Sequence, residues 1–458
     1  MKIYRIKLIV FLSVFMGFFH PGSSQNKPGK KPNILIILTD DQGYHDVSYY
    51  GTNDLQTPNI DALCRNGMRF DNFLTNSPVC SPTRASLLSG RYPDRVGVPG
   101  LIRYHPEDNW GYLDPQTILL PQKLKEANYH TAHIGKWNLG LESPNLPNQR
   151  GFDLFHGWLE DMMDDYVLKR RHGKNFMRLN NKIIDPRGHA TDLFTDWAVD
   201  YIVEQARDER PFFLYLAYNA PHFPVQPPKE WSDRVKKRNP GLPERRSNLI
   251  AFIEHLDNGI GKVIAALKES GQYENTLIIF TSDNGGHLPD LANNGPLRDG
   301  KQSMYEGGLR VPTIVTWPGH VKPGSGSDQV NVSMDIYPTV LQVAGVKTTH
   351  TIEGRSFMNT LLGKNVTEDE RLLYFTRREG GLSYGGKAYH ALRIGDWKLL
   401  QNSPYQPMEL YNLKNDPAEE NDLIKSEPEV YQKMNSLLMQ QTQEGGKTPW
   451  QKPEIKTN

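Results

Sequence analysis

The chain has 458 residues, with 53 Lys and Arg against 52 Asp and Glu and a formal net charge of +1. Apolar residues make up 37% and charged residues 23%, which excludes a disordered chain, a collagen-like repeat and a polytopic membrane protein. Balanced charge without a Lys/Arg block argues against nucleic acid as the main partner, and the length fits one large domain, alone or with a small one.

Lys2, Arg5 and Lys7 precede an apolar run over residues 8–19 that is too short to span a bilayer comfortably. Gly22-Ser23-Ser24 follows, so residues 1–24 read as a secretory signal peptide cut near Ser24, against the alternative of a short membrane anchor. The protein is therefore expected to be exported, without stable membrane insertion. Gln25 at the new N-terminus gives the leader a bacterial look, which places the protein in periplasm or medium. The sequons Asn331-Val332-Ser333 and Asn365-Val366-Thr367 would matter only on a eukaryotic secretory route. Two cysteines, Cys64 and Cys80, do not make a disulfide scaffold, although they could form one bridge. Cys64 lies in an apolar helical pattern and reads as a small core residue.

Residues 34–38, Ile-Leu-Ile-Ile-Leu, form a short branched apolar run that predicts a buried parallel strand. It stops at Thr39-Asp40-Asp41, and acidic groups at the carboxyl end of such a strand sit where open α/β sheets bind ligands. Residues 212–217 form a similar run that leads to Asn219-Ala220-Pro221-His222, and residues 277–280 a third that leads to Ser282-Asp283-Asn284. Between these strands, apolar spacing predicts helices over 119–127, 191–205 and 249–269, so the domain is expected to be α/β with a largely parallel sheet. Residues 223–245, rich in Pro, Lys and Arg, read as a surface excursion. Beyond residue 350 the texture changes. Strand patterns at 388–400 and 409–413 and a helix at about 427–441 predict a small antiparallel subdomain over 351–458, after a main domain over 25–350. The last dozen residues read as a loose tail.

Cys80-Ser81-Pro82-Thr83-Arg84, continued by Leu87-Leu88-Ser89-Gly90-Arg91, is the most specific stretch in the chain. It resembles the Cys-X-Pro-Ser/Thr-Arg signature of the type I sulfatases, in particular those like arylsulfatase A and N-acetylgalactosamine-6-sulfatase. The resemblance runs over roughly residues 32–425 and includes Leu-Tyr-Asn-Leu-X-Asn-Asp-Pro-Ala-Glu-Glu-Asn at 410–421. It implies an alkaline-phosphatase-like α/β sandwich with a small C-terminal α+β part. It also implies that Cys80 is oxidised to formylglycine (3-oxoalanine) by a formylglycine-generating or anaerobic sulfatase-maturating enzyme. The hydrated aldehyde would attack the sulfur of a sulfate ester, and its second hydroxyl would let the aldehyde re-form as sulfate leaves.

By the same resemblance, Asp40, Asp41, Asp283 and Asn284, together with the modified Cys80, hold a metal ion. Hard oxygen donors suit Ca²⁺ or Mg²⁺. Read without the family, Asp-Asp after a strand is often a turn or a helix cap. Arg84 would hold the diol, Lys136 and Lys301 would clamp the sulfate, and His222 would protonate the leaving alcohol. Without the family, a His in a Pro-rich loop is ordinary surface.

One position departs from the pattern. Gly135-Lys136-Trp137-Asn138 has Asn where the family usually has His, and an amide can hold a hydroxyl but not take its proton. His133 is a conceivable substitute base but reads as structural. Arg103, His105, His172, Arg377 and Arg378 are loop candidates for substrate binding, although each taken alone reads first as a solvated surface charge. The expected substrate is a sulfated polysaccharide or its oligosaccharides, algal (ulvan, carrageenan) or glycosaminoglycan. Two rival readings remain: a phosphate or phosphonate ester hydrolase of the same superfamily, and a lapsed sulfatase that only binds sulfated glycan.

Overall fold

The apolar run at residues 34–38 becomes the centre of a ten-stranded sheet. The structure, a computed structural model, describes residues 30–364, 366, 370–380 and 388–453. The leader at 1–24 lies outside the described residues, as do Asn365 and Thr367 of the second sequon and the tail beyond residue 453.

In chain order the strands are β1 (Asn33–Thr39), β2 (Met68–Phe70), β3 (Phe73–Leu74), β4 (His130–Lys136), β5 (Leu154–Trp158), β6 (Met177–Leu179), β7 (Lys182–Ile183), β8 (Phe212–Ala217), β9 (Thr276–Ser282), β10 (Thr313–Thr316), β11 (Ser325–Ser327) and β12 (Asn331–Val332). The large sheet runs β11-β2-β10-β9-β1-β8-β4-β5-β6-β7, and β3 pairs with β12 apart from it. Its middle strands, β9-β1-β8-β4-β5, are all parallel, so their carboxyl ends share one edge.

Side chains alternate across a strand, and β1 shows the result. Ile34, Ile36 and Leu38 enter one apolar cluster, and Leu35 and Ile37 enter another. The first cluster takes in α2 (Cys80–Ser89), α3 (Leu120–Glu126) and the helix Ile336–Val343. The second takes in α1 (Pro58–Asn66), α4 (Ala190–Gln205) and α6 (Glu244–Glu269). Covering both faces is what a parallel sheet requires, and it explains the uninterrupted apolar strands. The expected α/β sandwich is the observed architecture.

Strands β13 (Leu372–Arg378), β14 (Ala388–Ile394), β15 (Trp397–Gln401) and β16 (Glu409–Asn412) form the expected antiparallel sheet, against which the helix Pro428–Gly445 packs. The described residues from Lys31 onward cluster as one unit.

One expectation gains detail and another is corrected. The excursion at 223–245 contains a helix, α5 (Lys229–Arg238), which its Pro- and Lys-rich composition hid; it is anchored by Val235 and Trp231 against α6. The described part of the tail is not loose, because Trp450 stacks on Trp110 with ring centroids 5.3 Å apart and Thr448 Oγ1 donates to the Arg95 carbonyl at 3.1 Å. Both cysteines are free; Cys64 is a core residue on α1, with burial pushing its thiol up to about 12. Among the described residues, no helix is long and apolar enough to cross a membrane.

Candidate active site

Register brings the strand ends together. Thr39 of β1 pairs with Ser282 of β9, so Asp40 and Asp283 follow side by side; Gly135 of β4 pairs with Ala217 of β8, which sets Lys136 next to the chain leading to His222. Gly135 has φ +105°, and a Cβ there would lie 1.9 Å from the Ala217 carbonyl oxygen, so only glycine fits.

Cys80 is the first residue of α2, fully buried, and its Sγ lies 3.4 Å from Asp40 Oδ1. The helix thus points its unpaired N–H groups and positive dipole end toward the place where an anion would sit. Burial, reinforced by Asp283 and Asp40, pushes the thiol pKa far up. As a plain cysteine it is therefore a poor thiolate nucleophile.

One helical turn on, Arg84 donates to Asp283 Oδ2 through Nε at 3.0 Å and through its terminal nitrogen at 2.8 Å, and it also donates to the Lys136 carbonyl at 2.9 Å. Lys136 Nζ donates to Asp40 Oδ2 at 2.6 Å, and Lys301 Nζ to Asp41 Oδ2 at 2.8 Å. Burial alone would raise the Asp40 carboxyl, but Lys136, His222, Arg84 and Lys301 outweigh it and hold Asp40 well below the usual range. At Asp283 the balance goes the other way: burial and the charge of Asp40 push the carboxyl up to about 7 despite Arg84.

Three carboxylates this close call for further positive charge. Asp40, Asp41, Cys80 and His222 each bring a ligand atom within 4.8 Å of the others. Asp41 is held at φ 68°, and Asn284 Nδ2 donates to Asp41 Oδ1 at 2.8 Å. That leaves the buried Asn284 Oδ1 without a hydrogen-bond partner among the described residues. An orphaned amide oxygen beside three carboxylates fits a hard divalent cation, and Ca²⁺ or Mg²⁺ matches the donors.

His222 Nδ1 is 2.6 Å from the Phe223 carbonyl and its Nε2 is 3.7 Å from Asp41 Oδ2, so a neutral ring donates from Nδ1 and turns Nε2 to the site. Burial and Lys301 push its pKa down. Asn138, at φ 55°, donates Nδ2 to the Ile102 carbonyl at 2.9 Å, and its buried Oδ1 has no partner among the described residues. His133 is stacked between Phe155 and Tyr215, and burial pushes it down to about 3, so it is structural.

The loop candidates separate. Arg103 is 92% buried; it donates to the Asp108 carbonyl at 3.0 Å and reaches Asp161 at 3.4 Å and Glu379 at 3.7 Å. Arg377 is buried against Glu379 at 2.8 Å. Its strand neighbour Arg378 necessarily takes the other face, where it meets Asp94 at 3.5 Å and the Tyr374 hydroxyl at 3.0 Å, so it ties the small sheet to its surroundings instead of joining the cluster. His105 and His172, far apart in sequence, meet at 5.5 Å between ring centroids beside Tyr104.

Sequence reasoning missed Glu160 and Asp161, which follow β5. The signal was there: an apolar run ending in two acids, as at Asp40-Asp41. Its aromatic, glycine-broken text, Leu-Phe-His-Gly-Trp, concealed the strand.

Carboxylates, fixed cations and an imidazole gathered at the carboxyl edge of a doubly covered parallel sheet define a hydrolase for anionic esters. Comparison with known proteins gives the particular family. The Sulfatase family model matches residues 32–346, and the model of the N-sulphoglucosamine sulphohydrolase C-terminal region matches residues 299–445. The chain belongs to the sulfatase family and is a sulfuric ester hydrolase. It is 32% identical to N-acetylgalactosamine-6-sulfatase of Canis lupus familiaris over 80% of this chain and 71% of that one. It is 28% identical to a sulfatase of Formosa agariphila over 94% of this chain and 92% of that one. The crystal structure of Ps i-CgsB in complex with k-i-k-neocarrahexaose superposes with a TM-score of 0.83 at 31% identity, covering 92% of this chain and 95% of that one.

Proposed function

We propose that the protein is an exported sulfatase that removes sulfate from a sulfated polysaccharide or its oligosaccharides. The observation that carries this is the convergence of Cys80, three carboxylates, Asn284 and the cations Arg84, Lys136 and Lys301 on one strand edge. The names of the relatives, one acting on N-acetylgalactosamine 6-sulfate and one bound to a carrageenan fragment, support a sulfated galactan or galactosaminoglycan.

Asp40, Asp41, Asp283 and Asn284 would hold Ca²⁺ or Mg²⁺, which would supply positive charge to acidify the nucleophile and to offset the charge of the sulfate. Formylglycine made from Cys80 supplies an oxygen nucleophile and a second hydroxyl that allows sulfate to leave. Arg84 fixes Asp283 and the backbone of Lys136, and so sets the floor of the site. Lys136 and Lys301 bind the sulfate oxygens, exchanging part of their contact with Asp40 and Asp41. His222 faces the leaving oxygen with Nε2; the negative charge of a bound ester draws a proton onto it, which the leaving alcohol then takes. Asn138 Oδ1 accepts a hydroxyl proton in a hydrogen bond and orients that hydroxyl without deprotonating it. The cluster of Tyr104, His105 and His172, which begins next to Arg103 in the chain, would carry the continuation of a longer saccharide.

Mass spectrometry of the protein from its native producer tests this reading. The Cys80 peptide is expected to be about 18 Da lighter than the cysteine form. The same preparation is expected to release sulfate from carrageenan, chondroitin or ulvan oligosaccharides faster than phosphate from 4-nitrophenyl phosphate, and Cys80→Ala is expected to release none. Unmodified cysteine in native protein would overturn the formylglycine reading and favour glycan binding without turnover. Faster phosphate release would favour the phosphatase reading.

A further inference from the structure

Five adjacent parallel strands, β9, β1, β8, β4 and β5, open onto the edge that carries the site. The first four deliver Asp283 and Asn284, Asp40 and Asp41, His222, and Lys136. The fifth delivers Asp161, three residues beyond Trp158, which pairs with Lys136. Asp161 is only 5% exposed. Its Oδ1 lies 3.6 Å from Lys136 Nζ and its Oδ2 3.4 Å from Arg103 Nε. Since Lys136 also holds Asp40 at 2.6 Å, Asp161 is one side chain away from where the sulfate would bind.

A carboxylate has no use for the sulfate itself, because sulfate oxygens are acceptors and carry negative charge. What a buried carboxylate needs is a donor, and Asp161 Oδ1 has no hydrogen-bond partner among the described residues. Lys136 offsets its charge at ion-pair distance but leaves it without a hydrogen bond, so the oxygen is open to a donor that arrives with the substrate. The surroundings keep it in place. Arg103 is fixed by the Asp108 carbonyl and Glu379, and Glu160 accepts from the backbone N–H of Tyr104 at 3.2 Å and of Met162 at 3.1 Å. In a sulfated sugar the donor nearest the ester is the neighbouring free hydroxyl.

We infer that Asp161 is a specificity-determining residue that accepts a hydrogen bond from the substrate hydroxyl beside the sulfate ester. The inference rests on the sulfatase reading and narrows the substrate class. The sugar carries a free hydroxyl next to the reacting sulfate, and esters whose neighbouring position is deoxygenated, methylated or itself sulfated are rejected. A second sulfate there would meet the charge of Asp161 as well as losing the donor.

The test uses matured enzyme with methyl galactosides sulfated at O4 or O6, each beside the analogue lacking the nearest hydroxyl, and with 4-nitrophenyl sulfate as a hydroxyl-free ester. A hydrogen bond to a charged acceptor is worth about 1.5–3 kcal/mol, so removing the hydroxyl is expected to lower the wild-type kcat/KM by roughly 10- to 150-fold. Asp161→Ala, which removes the acceptor, is expected to show almost no dependence on that hydroxyl, and Asp161→Asn, which keeps one oxygen, to fall between. Equal losses on sugar and nitrophenyl esters in Asp161→Ala would mean that the residue only props Lys136, and would overturn the assignment. So would a wild-type enzyme indifferent to the hydroxyl, a comparison that needs no variant to fold. Failure of the wild type on every ester would instead overturn the sulfatase reading, and this inference with it.

Discussion

Asp41 sits in a left-handed backbone conformation, and Asn284 next to it has a buried oxygen with no hydrogen-bond partner among the described residues. Side chains are held in such states where a ligand repays the strain. Chelation is therefore expected to lower Tm and abolish turnover. Ca²⁺ at a hundredfold excess over its Kd should restore about 2.7 kcal/mol of stability, and Asp41→Asn should weaken that response in calorimetric titration. His222 makes a different prediction. Its Nε2 faces the site, and an alkoxide leaving group needs a proton more than a nitrophenolate does. His222→Gln should lower kcat on sugar sulfates by roughly 100-fold or more, and by much less on 4-nitrophenyl sulfate. Equal losses on both would remove the general-acid role. Most of these residues were legible in the sequence because short motifs carry them next to apolar runs. Asp161 was not, because its meaning depends on Lys136, 25 residues away, lying beside it.

Helix α1 begins without a side-chain cap of its own, and α6 supplies the cap. Asp257 accepts from the backbone N–H groups of Ile60 at 2.8 Å and Asn59 at 3.2 Å, and from Asn59 Nδ2 at 2.8 Å. Its loss in Asp257→Ala should cost about 2 kcal/mol, read as a drop in Tm. Burial, with a small addition from Asp61, nonetheless pushes this carboxyl up to about 7. A carboxyl raised in the folded state favours folding below its ordinary value near 4, and that contribution is lost as pH climbs toward 7. Asp257→Asn should therefore gain in Tm relative to wild type between pH 4 and pH 8; a flat difference would contradict the shift. No sequence pattern marks this contact, which joins residues almost 200 positions apart. The helices themselves were legible from apolar spacing, whereas α5 was not, because only Val235 of its ten residues is buried.

Across the whole molecule, the small sheet does more than extend the chain. Lys398 of β15, fully buried, binds Glu306 at 2.9 Å and Glu419 at 2.9 Å, and Glu419 also accepts from the Glu306 N–H at 2.6 Å. Glu306 begins the short helix just after Lys301, so the C-terminal sheet fixes the segment next to the lysine proposed to bind sulfate. Glu419 belongs to the 410–421 stretch that resembled the family, which gives that motif a physical reason. Lys398→Met leaves two buried carboxylates facing each other and should destabilise the fold by about 3–5 kcal/mol. Where the variant still folds, Lys301 should be displaced and KM for the sulfate ester should rise. An unchanged Tm in thermal unfolding would show that the network adds nothing.

By itself the sequence determined the α/β class, the strands that end in Asp40-Asp41, His222 and Asp283-Asn284, and the family motif that begins at Cys80. Each of these is a local pattern: an apolar run of fixed period, or a motif read within a dozen residues. The tertiary structure alone decided which charged loops face the site. Parallel register put Asp161 beside Lys136, strand alternation turned Arg378 away while Arg377 stayed buried near Arg103, and buried ion pairs tied the C-terminal sheet to Glu306, five residues beyond Lys301. Long-range electrostatics and packing are set by which strands become neighbours, and no local pattern encodes that order.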